Sequence, residues 1–225
     1  MMRLIRSVEG WALALYARIL QRTVQITVAG SRYIEDMVRD DRPSVMAAWH
    51  GQGHLLLPYL MRVLDLGRVS VIVTDDDRTQ VLSVMVRMIG SKPLAISGAD
   101  KSVAGPMRML GFVRELRNGR LGYVHPDGPD GPARVPKEGV VFLAALAGAR
   151  IFPLGAYTTS GYRLRRWDRY SLPLPFCRIA LVVRAPFVVP KDGDRSEALD
   201  LVTRELSLAV DQAEALYRDE SKASM

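Results

Sequence analysis

The chain has 225 residues, 48% hydrophobic and 24% charged, which excludes a disordered chain and is long enough for a sizeable core in one domain. Its one cysteine, Cys177, excludes an intrachain disulfide framework and suits a reducing compartment. A net charge of +7 favours phosphate groups or acidic lipid surfaces as partners; with no recognition-helix or zinc-finger signature, nucleic acid is the weakest anionic partner and is not expected.

The first twenty residues place Leu4, Ile5, Val8, Trp11, Ala12, Leu15 and Ile19 on a helical stripe, flanked by Arg3, Arg6, Arg18 and Arg22. The stretch is too short to span a bilayer and lacks a signal-peptide cleavage site. Its stripe suits either a membrane interface or packing on the sheet.

From Val45 onward, strand-like and helix-like runs alternate. Val45–Trp49, Val69–Thr74, Pro93–Ser97, Leu121–Val124 and Ile151–Tyr157 read as strands. Leu55–Leu64, Thr79–Ile89, Val103–Leu116 and Val140–Ala147 read as the helices between them. The alternation predicts a single-domain α/β fold, a mixed sheet flanked by helices, spanning residues 1–225. Ile179–Val189 adds a strand interrupted at Pro186, expected at an edge. A C-terminal helix over 194–218 is the clearest of all, with Asp194 and Glu197 spaced as a cap.

The stretch His125-Pro126-Asp127-Gly128-Pro129-Asp130-Gly131-Pro132 breaks the run Leu121–Val124 into a stiff acidic turn, since proline fixes φ and glycine permits φ > 0. Ligands of open α/β sheets bind where such turns leave the strands. His50 follows another strand, with Gly51 and Gly53 leaving room around it, and suits a general base. His50 and His54 stand at i and i+4 like half a zinc site, but the accompanying glutamate and a third ligand are missing, so no metal is expected. Asp75-Asp76-Asp77 reads as a solvated turn, or as a carboxylate that orients a histidine or binds a cation. Gly98, Lys101 and Ser102 open a helix and suit an anion. Arg134 and Lys137 add positive charge beside the acidic turn.

These motifs occur in the order of a known family. Trp49-His50, Gly98–Ser102, His125–Pro132, Lys137-Glu138-Gly139-Val140-Val141, Arg166-Trp167-Asp168-Arg169-Tyr170 and Pro173-Leu174-Pro175-Phe176 together resemble the DUF374 group of bacterial lysophospholipid acyltransferase-like proteins. The resemblance covers roughly residues 40 to 190. It implies a glycerolipid acyltransferase-like fold and transfer of a fatty acyl group from a thioester to a hydroxyl of a lipid-like acceptor. The donor would be acyl-CoA or an acyl-carrier-protein thioester, a co-substrate rather than a bound cofactor. Acyl carrier protein and an anionic membrane surface would be partners, and the location peripheral, on the cytoplasmic face of the inner membrane.

The superfamily's base histidine matches His50. Its aspartate five residues later is here Leu55, so the pair is broken and the orienting carboxylate has to come from Asp75, Asp76, Asp77 or Asp127. The turn carrying Pro126, Asp127, Gly128, Pro129 and Gly131 resembles the superfamily's acceptor-binding block, with Asp127 as a second catalytic residue. Ile151-Phe152-Pro153 resembles its last block. A hydrolase at the same site, or a lipid-binding module without catalysis, are the alternatives.

Overall fold

A computed structural model of the chain describes residues 2–74, 79–96 and 104–223. The first half runs α1 (Met2–Thr23), β1 (Gln25–Ala29), α2 (Ser31–Arg39), β2 (Ser44–Ala47), α3 (Gly53–Val63), β3 (Val69–Thr74), α4 (Thr79–Met88) and β4 (Lys92–Ile96). The second runs α5 (Ala104–Arg117), β5 (Leu121–Val124), α6 (Glu138–Ala147), β6 (Arg150–Tyr157), β7 (Gly161–Arg163), β8 (Ser171–Pro173), β9 (Arg178–Val183), β10 (Phe187–Val188) and α7 (Arg195–Ala223).

The eight-stranded sheet has the order β1-β9-β6-β2-β5-β3-β4, with β10 also on β6, and β7 and β8 form a separate hairpin. The pairs β2–β5, β2–β6, β3–β5, β3–β4 and β1–β9 are parallel, while β6–β9 is antiparallel. The expected mixed sheet is therefore present. Its central strands β2 and β5 are buried throughout, as parallel strands covered on both faces must be. Side chains alternate between two cores. Met46, Tyr123 and Phe152 meet α1, α2 and α3 on one face; Val45, Val124 and Ile151 meet α5, α6 and α7 on the other. Register places Ala47 beside both Val124 and Pro153, so the chain leaves β2 and β5 at the same sheet edge. That edge holds His50 and the acidic turn.

The run Ile179–Val189 is a correction. It splits into β9 and β10, and β9 lies inside the sheet between β1 and β6 rather than at an edge. Pro186 falls in the connection, where it removes no ladder bond. The strand that covers β9, Gln25–Ala29, was missed because its apolar face is only Ile26 and Val28, a run of five residues too short to stand out.

The first helix is packed by a face other than its apolar stripe. It packs on α4 and α3 through Gly10, Ala14, Ala17 and Leu20, all buried. A Cβ at Gly10 would sit 2.6 Å from the Val81 carbonyl oxygen, so the small residues set a close helix contact. The apolar stripe faces away: Leu4, Ile5, Val8, Trp11, Leu15 and Ile19 are 39–71% exposed. Among the described residues no helix is long and apolar enough to cross a membrane. At the other end, the Asp194 carboxylate accepts N–H bonds from Ser196 (2.6 Å) and Glu197 (3.1 Å), capping α7 as its spacing predicts.

Candidate active site

After β2 the chain turns through a short 3-10 segment, His50–Gln52, and enters α3. Gly51 is required there, since a Cβ would lie 2.3 Å from the main-chain oxygen of Asp168. This close approach brings the loop between β7 and β8 onto His50. The His50 Nδ1 lies 2.7 Å from Asp168 Oδ2; the histidine side chain is 19% exposed and the carboxylate fully buried. The other Asp168 oxygen accepts the Tyr170 N–H at 3.3 Å and lies 3.6 Å from Arg166 Nε. With the carboxylate on Nδ1, that nitrogen carries the ring proton and Nε2 keeps its basic lone pair. The rings of His125 and Trp167 stand 5.0 and 5.4 Å from the imidazole, centroid to centroid, and fix its plane.

The acidic turn reaches the same histidine by its main chain. Asp127, only 1% exposed, accepts the His50 N–H at 3.0 Å through one oxygen and the Arg134 N–H at 3.2 Å through the other. Burial pushes its carboxyl up, and the two N–H bonds oppose that shift. Gly128 and Gly131 take left-handed φ values of 64° and 69°. A Cβ on Gly131 would lie 2.5 Å from the Trp167 ring, and one on Gly128 about 3.0 Å from Lys137 Nζ. The turn therefore packs directly against the loop that carries Asp168. Pro126 is buried and its carbonyl accepts the Lys137 N–H at 2.8 Å, which sets the start of α6.

The remaining histidines are structural in their contacts. His54 Nδ1 meets the Tyr170 hydroxyl at 2.6 Å, and burial holds its pKa down to about 4. His125 Nδ1 meets the Ala48 carbonyl at 3.0 Å. Its pKa is depressed to about 3, first by burial and then by the nearby His50. Both are neutral at pH 7, and His50 and His54 engage separate partners rather than one point between them.

A cavity of about 420 Å³ opens beside the pair, walled by Trp49, Gln52, Leu55, Trp167 and Asp168. Trp49 Nε1 and Gln52 Oε1 are buried without a hydrogen-bond partner among the described residues. Arg134, Arg163 and Arg169 stand exposed at its rim, with no carboxylate partner among the described residues. Arg134 and Arg169 are held at left-handed φ values of 61° and 46°, backbone strain of a kind that gathers at functional sites.

The fold thus brings together His50, Asp127, Arg134 and the Pro126–Gly131 turn. Lys137 packs over Gly128 and does not line the cavity. Gly98, Lys101 and Ser102, with Asp75, Asp76 and Asp77, lie outside the described residues. The carboxylate on the imidazole is Asp168, which was not among the orienting candidates; Asp127 holds the main chain of His50 instead. The available signal was the segment Arg166-Trp167-Asp168-Arg169-Tyr170, dense in residue types that build sites. Nothing in its spacing connects it to a histidine 118 positions earlier.

The mixed α/β fold is similar to that of a solved acyltransferase structure. The crystal structure of the 1-acyl-sn-glycerophosphate (LPA) acyltransferase PlsC from Thermotoga maritima matches it with a TM-score of 0.58. The match covers 95% of this chain and 88% of that one at 17% sequence identity. By sequence, the chain is 26% identical over 113 residues to an uncharacterized protein of Rickettsia prowazekii (strain Madrid E). It spans about half of that relative's length, and the match covers half of this chain. No protein-family model matches the sequence.

Proposed function

We propose that the protein is a bacterial acyltransferase of the DUF374 group that moves a fatty acyl group from a thioester to a hydroxyl of a lysophospholipid or related acceptor. The observation that carries this reading is the His50–Asp168 pair, whose aspartate walls a cavity, in a fold similar to that of PlsC. The position five residues after His50 is Leu55, only 3% exposed and part of the core, so a carboxylate there would be buried unpaired. Asp168 supplies from another loop what that position lacks, which favours retained catalysis over a binding module.

In the reaction, Asp168 holds the Nδ1 proton and His50 Nε2 takes the proton of the acceptor hydroxyl. The oxygen forms a bond to the thioester carbonyl carbon, the carbon–sulfur bond breaks, and the imidazolium returns its proton to the leaving thiolate. A general base of this kind is worth about a hundred- to ten-thousand-fold; holding the two substrates together adds to it. Arg134, Arg163 and Arg169 suit an acceptor bearing phosphate. The donor is acyl-CoA or an acyl carrier protein, and the exposed stripe of α1 with its arginines suits peripheral attachment to the cytoplasmic face of the inner membrane.

The test supplies an acyl-thioester with a lysophospholipid and follows free thiol together with the lipid product. Thiol release with acylated lipid, lost in His50→Ala, is the expected result. Release with free fatty acid alone identifies a hydrolase, and no release overturns catalysis.

A further inference from the structure

The segment from Gly161 to Cys177, which delivers Asp168 and lends Arg163 and Arg169 to the cavity rim, carries a second feature on its outer surface. It contains Arg163, Arg165, Arg166 and Arg169 and a single carboxylate, Asp168, whose side chain is fully buried against His50. Its outer surface is therefore basic without compensation. Arg163, Arg165 and Arg169 have no carboxylate partner among the described residues. Between these cations Tyr162, Leu174 and Phe176 are exposed by 61%, 58% and 79%.

Phe176 is the most telling of the three. It occupies the third position of the turn Leu174-Pro175-Phe176-Cys177, closed by the Cys177 N–H on the Leu174 carbonyl at 3.3 Å. Its φ is 63°, where glycine or asparagine is the ordinary occupant. A bulky ring in that position strains the backbone, and at 79% exposure it adds no packing to the fold. The hairpin also adjoins α1: the Tyr16 hydroxyl donates to the Pro173 carbonyl, next to Leu174 in the chain. Tyr16 borders the exposed apolar stripe at Leu15 and Ile19. This contact joins the hairpin to the helix that carries the exposed stripe.

We propose that the β7–β8 hairpin and the turn after it form a docking surface for an anionic lipid bilayer. Tyr162, Leu174 and Phe176 enter the interface and the arginines meet lipid headgroups. Alternation of aromatic or aliphatic side chains with arginines is the chemistry of an interfacial anchor, and charge complementarity selects an anionic surface. Because the same loop holds Asp168 on His50, this contact sets the cavity beside the bilayer surface. The inference extends the membrane contact assigned to α1 and does not require acyl transfer, so it is tested by binding alone.

The experiment is co-sedimentation of the full chain with vesicles of equimolar phosphatidylcholine and phosphatidylglycerol, and with phosphatidylcholine alone. Phe176→Gly relieves the backbone strain, so its melting temperature should be equal to or above that of the unaltered chain. Its partitioning to the anionic vesicles should fall about tenfold, and Trp11→Ser with Leu15→Ser should lower it independently. Binding of both forms should weaken in 1 M salt, where the Debye length is about 3 Å. A fluorophore at Tyr162→Cys, in a Cys177→Ala background, should shift to the blue on the anionic vesicles. Unchanged partitioning of Phe176→Gly, or an unshifted fluorophore on protein that pellets, overturns the proposal and leaves α1 alone as the contact. A self-associated chain that Phe176→Gly returns to monomer, without vesicle binding, assigns the patch to a second copy instead.

Discussion

Two loops bring an aspartate to His50, and they do so in opposite ways. The turn after β5 is short, with two Gly-Pro steps, and its Asp127 bonds only main-chain N–H groups, those of His50 and Arg134. The loop between β7 and β8 is long and rich in arginine, and its Asp168 bonds the imidazole itself. Both carboxylates are buried, 1% and 8% exposed as residues, so burial does not distinguish them. Their partners do. A carboxylate on main-chain N–H groups fixes where the histidine stands, whereas one on Nδ1 fixes its tautomer. The first contact is made to the main chain, and the second to the ring that the proposed reaction uses.

The comparison is sharpest in the kinetics. Asp168→Asn can no longer hold the Nδ1 proton as an anion, and turnover should fall by about a hundred- to ten-thousand-fold, near the loss in His50→Ala. Thiol release by each variant, with circular dichroism to confirm folding, measures this. Full turnover in a folded Asp168→Asn would remove the carboxylate from the mechanism. Asp127→Asn should show the reverse balance. Its amide nitrogen would face one of two N–H donors, leaving that donor unpaired at a cost of about 1–3 kcal/mol in stability. Urea unfolding should detect that loss, with a smaller loss of turnover than in Asp168→Asn. Equal kinetic losses in the two variants would erase the distinction between the loops.

Gly131→Val probes the contact between the loops. It puts a β-branched side chain at φ 69° and drives it into Trp167, so we expect about 1–3 kcal/mol of destabilisation together with a weaker Asp168–His50 bond. Gly148→Val, also at left-handed φ but with open space around its Cβ, is the control: it should lose stability while turnover per folded molecule is kept.

The smallest effect lies in the pH dependence of stability. His54 and His125 have folded pKa values of about 4 and about 3, below the usual value near 6.5. The unfolded chain therefore binds protons that the folded chain refuses, and stability present above pH 6.5 is lost as pH falls through the window to about 4. Each histidine contributes a slope of up to about 1.4 kcal/mol per pH unit there. Asp127, whose folded pKa is raised, contributes in the opposite sense, its share being present at acid pH and lost as pH rises through its folded value. Melting of His54→Gln across pH 4 to 7 should show a shallower slope than the unaltered chain. An identical slope would return His54 to solvent-like behaviour.

Much of the scaffold was legible because its signals are local. Five aliphatic runs became β2 to β6 within a few residues, and the Asp194 cap and the Gly-Pro turn follow from chemistry that acts over three or four positions. His50 could be chosen because a strand end, two glycines and a histidine stand together. The strand Gln25–Ala29, half-buried against β9, shows only Ile26 and Val28 on its apolar face, too little to mark it. The N-terminal stripe was read correctly as a stripe, yet periodicity cannot say which side of a helix the rest of the protein will cover. Here small residues allow α4 to come closer than the large ones would, so the buried face is Gly10, Ala14 and Ala17.

By itself, then, the sequence determined the alternation of strands and helices, the stiff turn at Asp127 and the histidine at the end of β2. Tertiary structure decided which carboxylate meets that imidazole, which face of α1 stays exposed, and that the β7–β8 loop closes on α3. These are contacts between residues far apart in the chain, 118 positions for His50 and Asp168. Spacing along a chain constrains only what lies within a few turns of helix or one hairpin. The approach of two distant loops is set by the sheet order between them and by Gly51, whose missing side chain lets the main chain of Asp168 come within reach.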